Sequence, residues 1–539
     1  MYLSPAAVPD EPTVSSEHHG IPGAQVSNEM SALVADHTPL LMRLVLISVS
    51  TIAIFYSLGE RLLKWDESIY AEVAREMLNR HNWLTPYWNF QPWFEKPPLL
   101  MWLTAPMYRL FGASEFSARM VGALCGVATV WLTFELGRRL LDDWSGFAAA
   151  AILLTNGYFT YISRFNGIDM STTFCFTVVA YAYLRVRQGD PRWWYIAGAF
   201  TGIAIMVKGA AGLCAPLALA FALLLDRRFS DLRSREVRNS VVLGCAIAMP
   251  WHLMMLILHG RDFLNEYLGY HVLARMRGIE MHAEPAYYYL SEYWNVFVPF
   301  ALAALVGLWL HVKGQKDSSI VVSFFLLITA TFTLIGTKMS TYVVPAFPFI
   351  SLLAAMGIRS LMKPVKYATV RAIIIVPLYL FNTACPRAGR GFVEWNYSPT
   401  FSYDGSITLN DDPLIRLAIQ ARAADHDPTP GPLIICLDAI KLWKEQPLFY
   451  ADRPIILSYL NVPPDWSISS GGLQTIPYGH NRYQARYQAS VPLERAVTSR
   501  PVPIIILSNL YPELTHSRKY NFTTIAESGP LILGQISRR

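Results

Sequence analysis

Two carboxylates next to apolar segments are the first residues that could do chemistry. Asp66 stands in the sequence KWDESIY, directly before a segment in which Ile69, Val73 and Met77 recur at every fourth position. Asp169 stands in RFNGIDM, where a long apolar run begins. One interpretation of each residue is a helix N-cap, a role for which Asp is well suited. The other is a carboxylate held at a membrane surface as a general base, and both interpretations stay open at this point.

Cations and their neighbours at breaks between apolar segments form the second set: Glu95 and Lys96 in EKPPLLMWL, Lys208 in MVKGAAG, His271 and Arg275 in the loop 259–292, and Lys338 and Tyr342 in GTKMSTYVVPAFPF. A lysine beside a bilayer often only extends its ammonium group toward water. A charge close to the hydrocarbon is costly, however, and is usually functional. Carboxylates and cations at headgroup depth suit a substrate that has an anionic phosphate and a lipid tail.

The composition places these residues in a membrane protein. The chain has 539 residues, of which 53% are hydrophobic and 16% are charged, and its mean hydropathy is +0.29. Soluble domains usually carry ~25% charged residues. This composition excludes a disordered protein, a coiled coil and a nucleic-acid-binding protein. The cysteines form no CxxC pair, and only Cys385 and Cys436 could meet outside the bilayer.

Apolar runs of about 20 residues predict the membrane helices. We expect about 11 to 13 spans, of which eleven can be placed, near residues 40–58, 118–137, 146–162, 168–186, 193–207, 210–226, 239–258, 293–312, 319–336, 342–360 and 371–385. The connectors after every second span are rich in Arg and Lys, whereas the opposite turns carry single cations such as Arg164. The positive-inside rule therefore predicts a cytoplasmic N-terminus and an outward-facing loop at 59–117.

Three regions follow from these patterns. Residues 1–39 are polar and are interpreted as a disordered cytoplasmic tail, and residues 40–385 as the membrane domain. From 386 to 539 the composition resembles that of a soluble protein, with short strands predicted at 432–438, 501–509, 522–528 and 530–536 and a helix at 415–423. We predict a small extracytoplasmic α/β domain there. In the loop 59–117, residues 67–80 are predicted to form an amphipathic helix on the membrane surface, and the run after Pro98 a second one.

The order of these motifs resembles that of a known enzyme family. WDE in a long first external loop is followed by EKPPLLMWL, RFNGIDM, VKG and KMSTYVVPAFP, over roughly residues 55–360. This combination resembles the bacterial aminoarabinose transferases that modify lipid A, and more broadly the protein O-mannosyltransferase-like branch of the GT-C glycosyltransferases. The resemblance implies a polytopic helical fold and an integral membrane enzyme of the bacterial inner membrane. It also implies a polyprenyl-phosphate-linked sugar as donor.

The resemblance also implies roles for individual residues. Asp66 matches the essential aspartate of the first loop and Asp169 the second essential acidic position, and Glu67 of the same WDE motif is included with the catalytic candidates. Lys96, Lys208 and Arg275 match cations near the donor phosphate, and Tyr342 matches a tyrosine near the donor pocket. Lys338 joins this set through its turn. Glu95 and His271 match a pair that can hold a zinc ion. Members of the family have thirteen spans, and the C-terminal domain here has no motif that we can connect with lipid A.

The sequence thus predicts an inverting glycosyltransferase that acts on an envelope acceptor, such as lipid A or another glycolipid, glycan or protein. No nucleotide is expected, because neither a P-loop nor a Rossmann fingerprint is present. The alternative is a lipid or sugar-lipid transporter, which predicts charges deep within helices and related halves. A third interpretation is a membrane-anchored binding protein whose working part is the C-terminal domain. Charges on one face and no visible repeat favour the enzyme.

Overall fold

The computed structural model describes residues 22–59, 63, 66–277, 284–298, 300–314, 318–362, 413–424, 431–436, 445–459, 466–469, 472–475 and 490–539. The chain forms two compact units, Met1–Val45 and Leu46–Arg539. The predicted disordered tail 1–39 lies outside the described residues up to residue 21, and helix α1 begins at Pro22 and ends at Phe55. The structure therefore places a helix where the second part of that tail was predicted to be disordered.

Helices make up most of the chain up to residue 362. After α1 they are α2 (Asp66–Arg80), α3 (Leu99–Phe111), α4 (Glu115–Leu140), α5 (Asp143–Thr155), α6 (Gly157–Ser163), α7 (Ile168–Arg187), α8 (Trp193–Lys208), α9 (Cys214–Leu225), α10 (Arg235–Phe263), α11 (Arg275–Arg277), α12 (Tyr288–Phe297), α13 (Phe300–Val312), α14 (Ser319–Leu334) and α15 (Phe347–Met362). A π-helical segment, Leu264–Ala274, joins α10 to α11.

The predicted spans agree with these helices in position more than in length. Each of the first ten coincides with a helix or a helix pair, and the eleventh, 371–385, lies outside the described residues. Among the residues described, four helical stretches are long and apolar enough to cross a bilayer: Glu115–Leu140, Trp193–Leu225, Arg235–Arg277 and Ser340–Met362. The bent pair α12 and α13 would make a fifth. Three further apolar helices are shorter, so the chain is a multi-pass membrane protein with several short or broken helices.

Two of the breaks have clear local causes. The predicted span 146–162 is divided at Asn156, whose side chain accepts a hydrogen bond from the Phe159 amide at 2.9 Å and so caps α6. Helix α8 ends at Lys208 because Gly209 adopts a φ of +59°, a conformation that glycine takes at little cost. The second break places a lysine side chain at the end of an apolar helix.

The segment 59–117, which is the predicted first external loop, contains two helices and a tight hairpin. The hairpin strands β1 (Tyr87–Trp88) and β2 (Gln91–Pro92) are joined by Asn89 and Phe90, both with positive φ. Helix α3 begins after the Pro97–Pro98 pair and buries one face, while Leu110 and Phe111 on the other face are exposed, as predicted for a surface helix.

The prediction for α2 was right about the helix and wrong about its surroundings. It was expected to lie on the membrane surface with a polar face in water. Instead, every residue from Glu67 to Met77 is buried, and α2 packs against α3 and against a helix of the C-terminal region. Its polar face can be buried because Glu72, Arg75 and Glu76 each have a charged partner.

The C-terminal region contains a mixed sheet with helices beside it. Its helices are α16 (Pro413–Ala423), α17 (Glu445–Ala451), α18 (Leu493–Ala496) and α19 (Tyr511–His516), and its strands are β3 (Leu433–Cys436), β4 (Ile455–Tyr459), β5 (Trp466–Ser469), β6 (Gly472–Thr475), β7 (Ser490–Pro492), β8 (Val502–Leu507), β9 (Tyr520–Ser528) and β10 (Leu531–Arg538). The strand order is β5-β6-β7-β4-β3-β8-β10-β9. The centre, β7-β4-β3-β8, is parallel, and both edges are antiparallel.

The α/β character predicted for this region is confirmed. All four predicted strands and the predicted helix are present, and they correspond to β3, β8, β9, β10 and α16. Strands β4 to β7 were not predicted. The domain boundary at 386 lies outside the described residues and stays a prediction. Cys436 is buried in β3, whereas Cys385 lies outside the described residues, so whether the two meet stays open.

Candidate functional site

Asp66 opens α2 and lies at the edge of a polar cluster. Asp66 is exposed, and its Oδ2 accepts a hydrogen bond at 3.4 Å from the hydroxyl of Tyr70, one helical turn later. Burial raises the pKa of Tyr70 well above its usual value, and the charges of Asp66, Glu95 and Asp169 raise it further. The Tyr70 hydroxyl therefore stays protonated and donates to Asp66. This leaves an accessible carboxylate with a hydrogen-bond donor one turn away in the same helix.

Asp169 lies in the first turn of α7 and is paired with Lys208 at the end of α8. The Lys208 ammonium donates to Asp169 Oδ1, and both side chains are mostly buried. The N-cap of α7 is Gly167, so Asp169 is not the cap that one interpretation predicted. The Lys208 Nζ also lies 5.0 Å from the centre of the Tyr342 ring and 5.6 Å from that of Phe332. The structure thus brings together three predicted site residues.

Lys96 joins these residues to the first loop. Burial lowers the pKa of the Lys96 ammonium, and the nearby Arg275 lowers it further, while Glu95 and Asp66 act in the opposite direction. Lys208 also acts on Lys96 as a like charge. Lys208, Arg275 and Asp66 therefore lie close enough to Lys96 for their charges to act on its ammonium group. Buried cations of this kind interact strongly with an anion, because water screens them little.

Glu95 and His271 come close, as the predicted zinc pair requires. Glu95 Oε2 lies 3.9 Å from His271 Nε2, and both residues are buried. Within the described residues, however, no group of three His, Cys, Asp or Glu side chains could hold a metal ion. Two donors beside Lys96 and Arg275 leave a tetrahedral site incomplete and near repelling charges. These residues alone do not fit a zinc site, and the zinc ion stays a prediction.

Lys338 differs from the other predicted cations. Its ammonium donates to the Ile335 carbonyl at 3.1 Å, within the turn that follows α14. The same turn is held to α12 by the Tyr289 hydroxyl, which accepts a hydrogen bond from the Met339 amide at 3.2 Å. Lys338 therefore has a local contact that stabilises the turn. Of this turn's two predicted site residues, Tyr342 is the one in contact with Lys208.

Glu67 is the centre of a buried network. Its carboxylate accepts two hydrogen bonds from Arg119 of α4, at 2.7 and 3.0 Å, and one from the Asn166 amide at 2.8 Å. Arg119 also donates to the Leu58 carbonyl at 2.8 Å. Asn166 lies three residues before Asp169, so Glu67 connects the chain around Asp66 to the turn that carries Asp169. This geometry makes Glu67 a positioning residue, because its carboxylate is occupied on both oxygens.

Sequence reasoning missed Tyr70, Arg119 and Asn166. Tyr70 had a local signal, since it lies four residues after Asp66 and therefore on the same face of a helix. Arg119 had a weaker one, as an arginine near the start of an apolar run. The Asn166 contact is made by its backbone amide, which no pattern of side chains could reveal.

Comparisons with known proteins find a family model and several relatives. Residues 95–254 match the family model of dolichyl-phosphate-mannose-protein mannosyltransferases, a segment that contains Lys96, Asp169 and Lys208. An uncharacterized protein of Aquifex aeolicus is 28% identical over 319 residues, which cover 58% of this chain and 62% of that protein. Undecaprenyl phosphate-alpha-4-amino-4-deoxy-L-arabinose arabinosyl transferase 1 of Pseudomonas fluorescens is 29% identical over 305 residues, covering 53% of this chain and 52% of the relative. The chain thus matches between half and two thirds of the length of these relatives.

Solved structures share the fold. ArnT from Cupriavidus metallidurans bound to undecaprenyl phosphate gives a TM-score of 0.68 at 19% identity, covering 91% of this chain and 97% of that chain. The archaeal oligosaccharyltransferase AglB from Archaeoglobus fulgidus, in complex with an inhibitory peptide and a dolichol-phosphate, gives a TM-score of 0.55 at 13% identity, covering 89% and 70%. The predicted resemblance to the aminoarabinose transferases and to the GT-C fold is confirmed.

Proposed function

We propose that this protein is a glycosyltransferase that moves a sugar from a polyprenyl-phosphate donor to an envelope acceptor. The observation that carries the proposal is the ion pair of Lys208 with Asp169 against the Tyr342 ring. Lys96 is close enough for its charge to interact with those of Lys208, Arg275 and the exposed Asp66. The reaction needs cations that stabilise an anionic leaving group and an acid-base group beside them. The names of the Pseudomonas and Cupriavidus relatives support the donor class.

The reaction breaks the bond between the anomeric carbon and the phosphate oxygen of the donor. Its electron pair leaves with the polyprenyl phosphate, and an oxygen of the acceptor forms the new bond from the opposite face, which inverts the anomeric centre. Asp66 takes the acceptor's proton, or orients the acceptor if this is already ionised, as a phosphate is. A positioned general base contributes ~10²–10⁴ in rate.

The cations stabilise the leaving group. Lys96, Lys208 and Arg275 stand where negative charge grows on the phosphate oxygens, and fixed charges of this kind usually give the largest catalytic contribution. Asp169 holds the Lys208 ammonium in place through their ion pair. Tyr342 packs its ring on the same ammonium and limits its movement.

The donor is a lipid, so the reaction takes place at a membrane surface. We assign it to the outer face of the bacterial inner membrane, with the N-terminus in the cytoplasm and the C-terminal domain outside. The Arg-rich and Lys-rich connectors support this orientation. The contacts between the C-terminal domain and the first loop also support it, because both then lie on one side.

Donor binding is the first test. Lys96→Ala and Lys208→Ala should each weaken the binding of undecaprenyl phosphate by about 10- to 100-fold, the loss expected for one hydrogen bond to a charged group. The measurement is lipid titration of the purified, folded protein. Lys313→Ala, which changes a lysine at the exposed end of α13, is the matched control and should bind normally. Wild-type affinity in both site variants would remove them from the donor site.

Orientation has a separate test. A cysteine at position 90, in the first loop, should react in intact cells with a thiol reagent that cannot cross the membrane. A cysteine at position 232, between α9 and α10, should react only after the membrane is opened. The reverse pattern would place the site on the cytoplasmic side and contradict the assignment.

A further inference from the structure

The segment Leu448–Ile455 of the C-terminal region makes several polar contacts with the first external loop. Arg75 of α2 donates to the Phe449 carbonyl at 2.6 Å and to the Leu448 carbonyl at 3.2 Å. It also forms an ion pair with Asp452 at 3.2 Å. These carbonyls belong to the last turn of α17, where a cation is favoured by the helix dipole. Arg75 therefore caps the C-terminal end of α17. It belongs to α2, and its own side chain is buried.

A second contact reaches the chain directly before Asp66. The Tyr450 hydroxyl accepts a hydrogen bond from the Leu63 amide at 3.1 Å and donates to Glu115 Oε1, at the start of α4, at 2.8 Å. Leu63 and Tyr450 are both buried. One hydroxyl thus ties the segment between α1 and α2 to α4. Removing the hydroxyl would take this contact from the buried Leu63 amide.

A third contact involves the hairpin of the first loop. The Asn89 side chain donates to the Ile455 carbonyl at 3.2 Å and accepts from the Ile455 amide at 2.9 Å, as a neighbouring strand would. The hairpin is in turn held to α2, because Glu76 accepts from the Phe90 amide at 2.7 Å. The three contacts together fix both ends of α2 to the C-terminal domain.

We infer that the C-terminal domain is a positioning element for Asp66, and that Tyr450 is its principal positioning residue. This inference rests on the proposed function, because Asp66 is the proposed base. Asp66 lies three residues after Leu63 and has an exposed side chain, so its place relative to the donor depends on how the preceding segment is held. The domain then affects the rate of sugar transfer, in addition to any part it has in recognising the acceptor.

The test compares Tyr450→Phe with Tyr511→Phe in the full-length protein reconstituted in lipid. Both changes remove one hydroxyl from the same domain, but Tyr511 lies on α19, away from α2. Tyr450→Phe should lower kcat about tenfold with little change in KM for the donor, since a reacting group displaced by about 1 Å loses up to 10²-fold. Tyr511→Phe should turn over as the wild type does. A wild-type kcat in Tyr450→Phe would overturn the inference.

The partner of Tyr450 provides a rescue. Glu115→Gln keeps an oxygen that can accept from the Tyr450 hydroxyl, whereas Glu115→Ala does not. We expect normal turnover for the first and a loss like that of Tyr450→Phe for the second, with no further loss in the Tyr450→Phe/Glu115→Ala double variant. Additive losses would mean that the two residues act separately. If Tyr450→Phe fails to fold, Glu115→Ala carries the test.

Amide hydrogen exchange separates this inference from the proposed function. Exchange of residues 63–70 should be faster in Tyr450→Phe than in the wild type and unchanged in Tyr511→Phe. This measurement does not depend on sugar transfer. If the wild type transfers no sugar, the proposed function is wrong, while faster exchange still supports the positioning of this segment. Unchanged exchange in Tyr450→Phe overturns the inference whatever the activity.

Discussion

The two carboxylates of the site are held in place in different ways. Asp169 lies in the first turn of α7, and its ion-pair partner Lys208 ends α8, the next helix along the chain, which packs against α7. Asp66 lies at the start of α2, and before it Leu58 and Leu63 are held by Arg119 and by Tyr450. Asp169 is thus held by neighbouring helices, whereas the position of Asp66 depends on contacts with segments that are distant in the chain. The acid that is proposed to do the chemistry is the one that depends on distant contacts.

The largest expected effect separates the reacting carboxylate from a supporting one. Asp66→Asn keeps an oxygen that accepts from Tyr70, so the protein should fold and bind donor lipid normally. Turnover should fall at least ~10²-fold, because an amide cannot take a proton at neutral pH. The measurement is sugar transfer by purified protein in lipid, with donor affinity determined in parallel. Near-wild-type transfer would leave Asp66 with a structural role only.

A smaller effect is expected for Asp169, the supporting carboxylate. Asp169→Asn retains a hydrogen bond to Lys208 but loses the charge that strengthens it. A charged hydrogen bond exceeds a neutral one by about 1.4 kcal/mol, so turnover should fall on the order of tenfold. The same transfer assay measures it, and Asp66→Asn provides the reference. If Asp169→Asn is the more damaging change, the proposed roles of the two carboxylates are reversed.

The smallest effect is a dependence on pH. Burial lowers the pKa of Lys96 to about 8, with a further contribution from Arg275, so its positive charge is present below this pH and is lost above it. The affinity for undecaprenyl phosphate should therefore fall as the pH rises from about 7 to 9, by about tenfold at most, since one proton is linked to binding. In Lys96→Arg the charge persists, and the affinity should vary less over this range. Equal pH profiles for the wild type and Lys96→Arg would show that another group titrates.

The residues of the Asp169–Lys208 pair could be predicted from the sequence, whereas the distant contacts that hold the chain before Asp66 could not. Asp169 and Lys208 were found because each stands at the end of an apolar run, where a charge is informative. The contact of Leu63 with Tyr450 joins residues that are 387 positions apart, and it involves a backbone amide. The burial of α2 was also missed, because its amphipathic pattern fits a membrane surface equally well. The folded structure, in which α3 and the C-terminal α17 pack on α2, shows what covers it.

The pairing of Asn89 with the first residue of β4 limits how this protein can be divided into exchangeable parts. Two hydrogen bonds from one amide side chain fix the register of the hairpin against the sheet. A chimera that received residues 413–539 from a relative would bring a new partner surface to an unchanged hairpin. The graft should work only when the hairpin and the outer face of α2 are exchanged with it. The hairpin and the sheet should therefore be exchanged together, although more than 300 residues separate them in the chain.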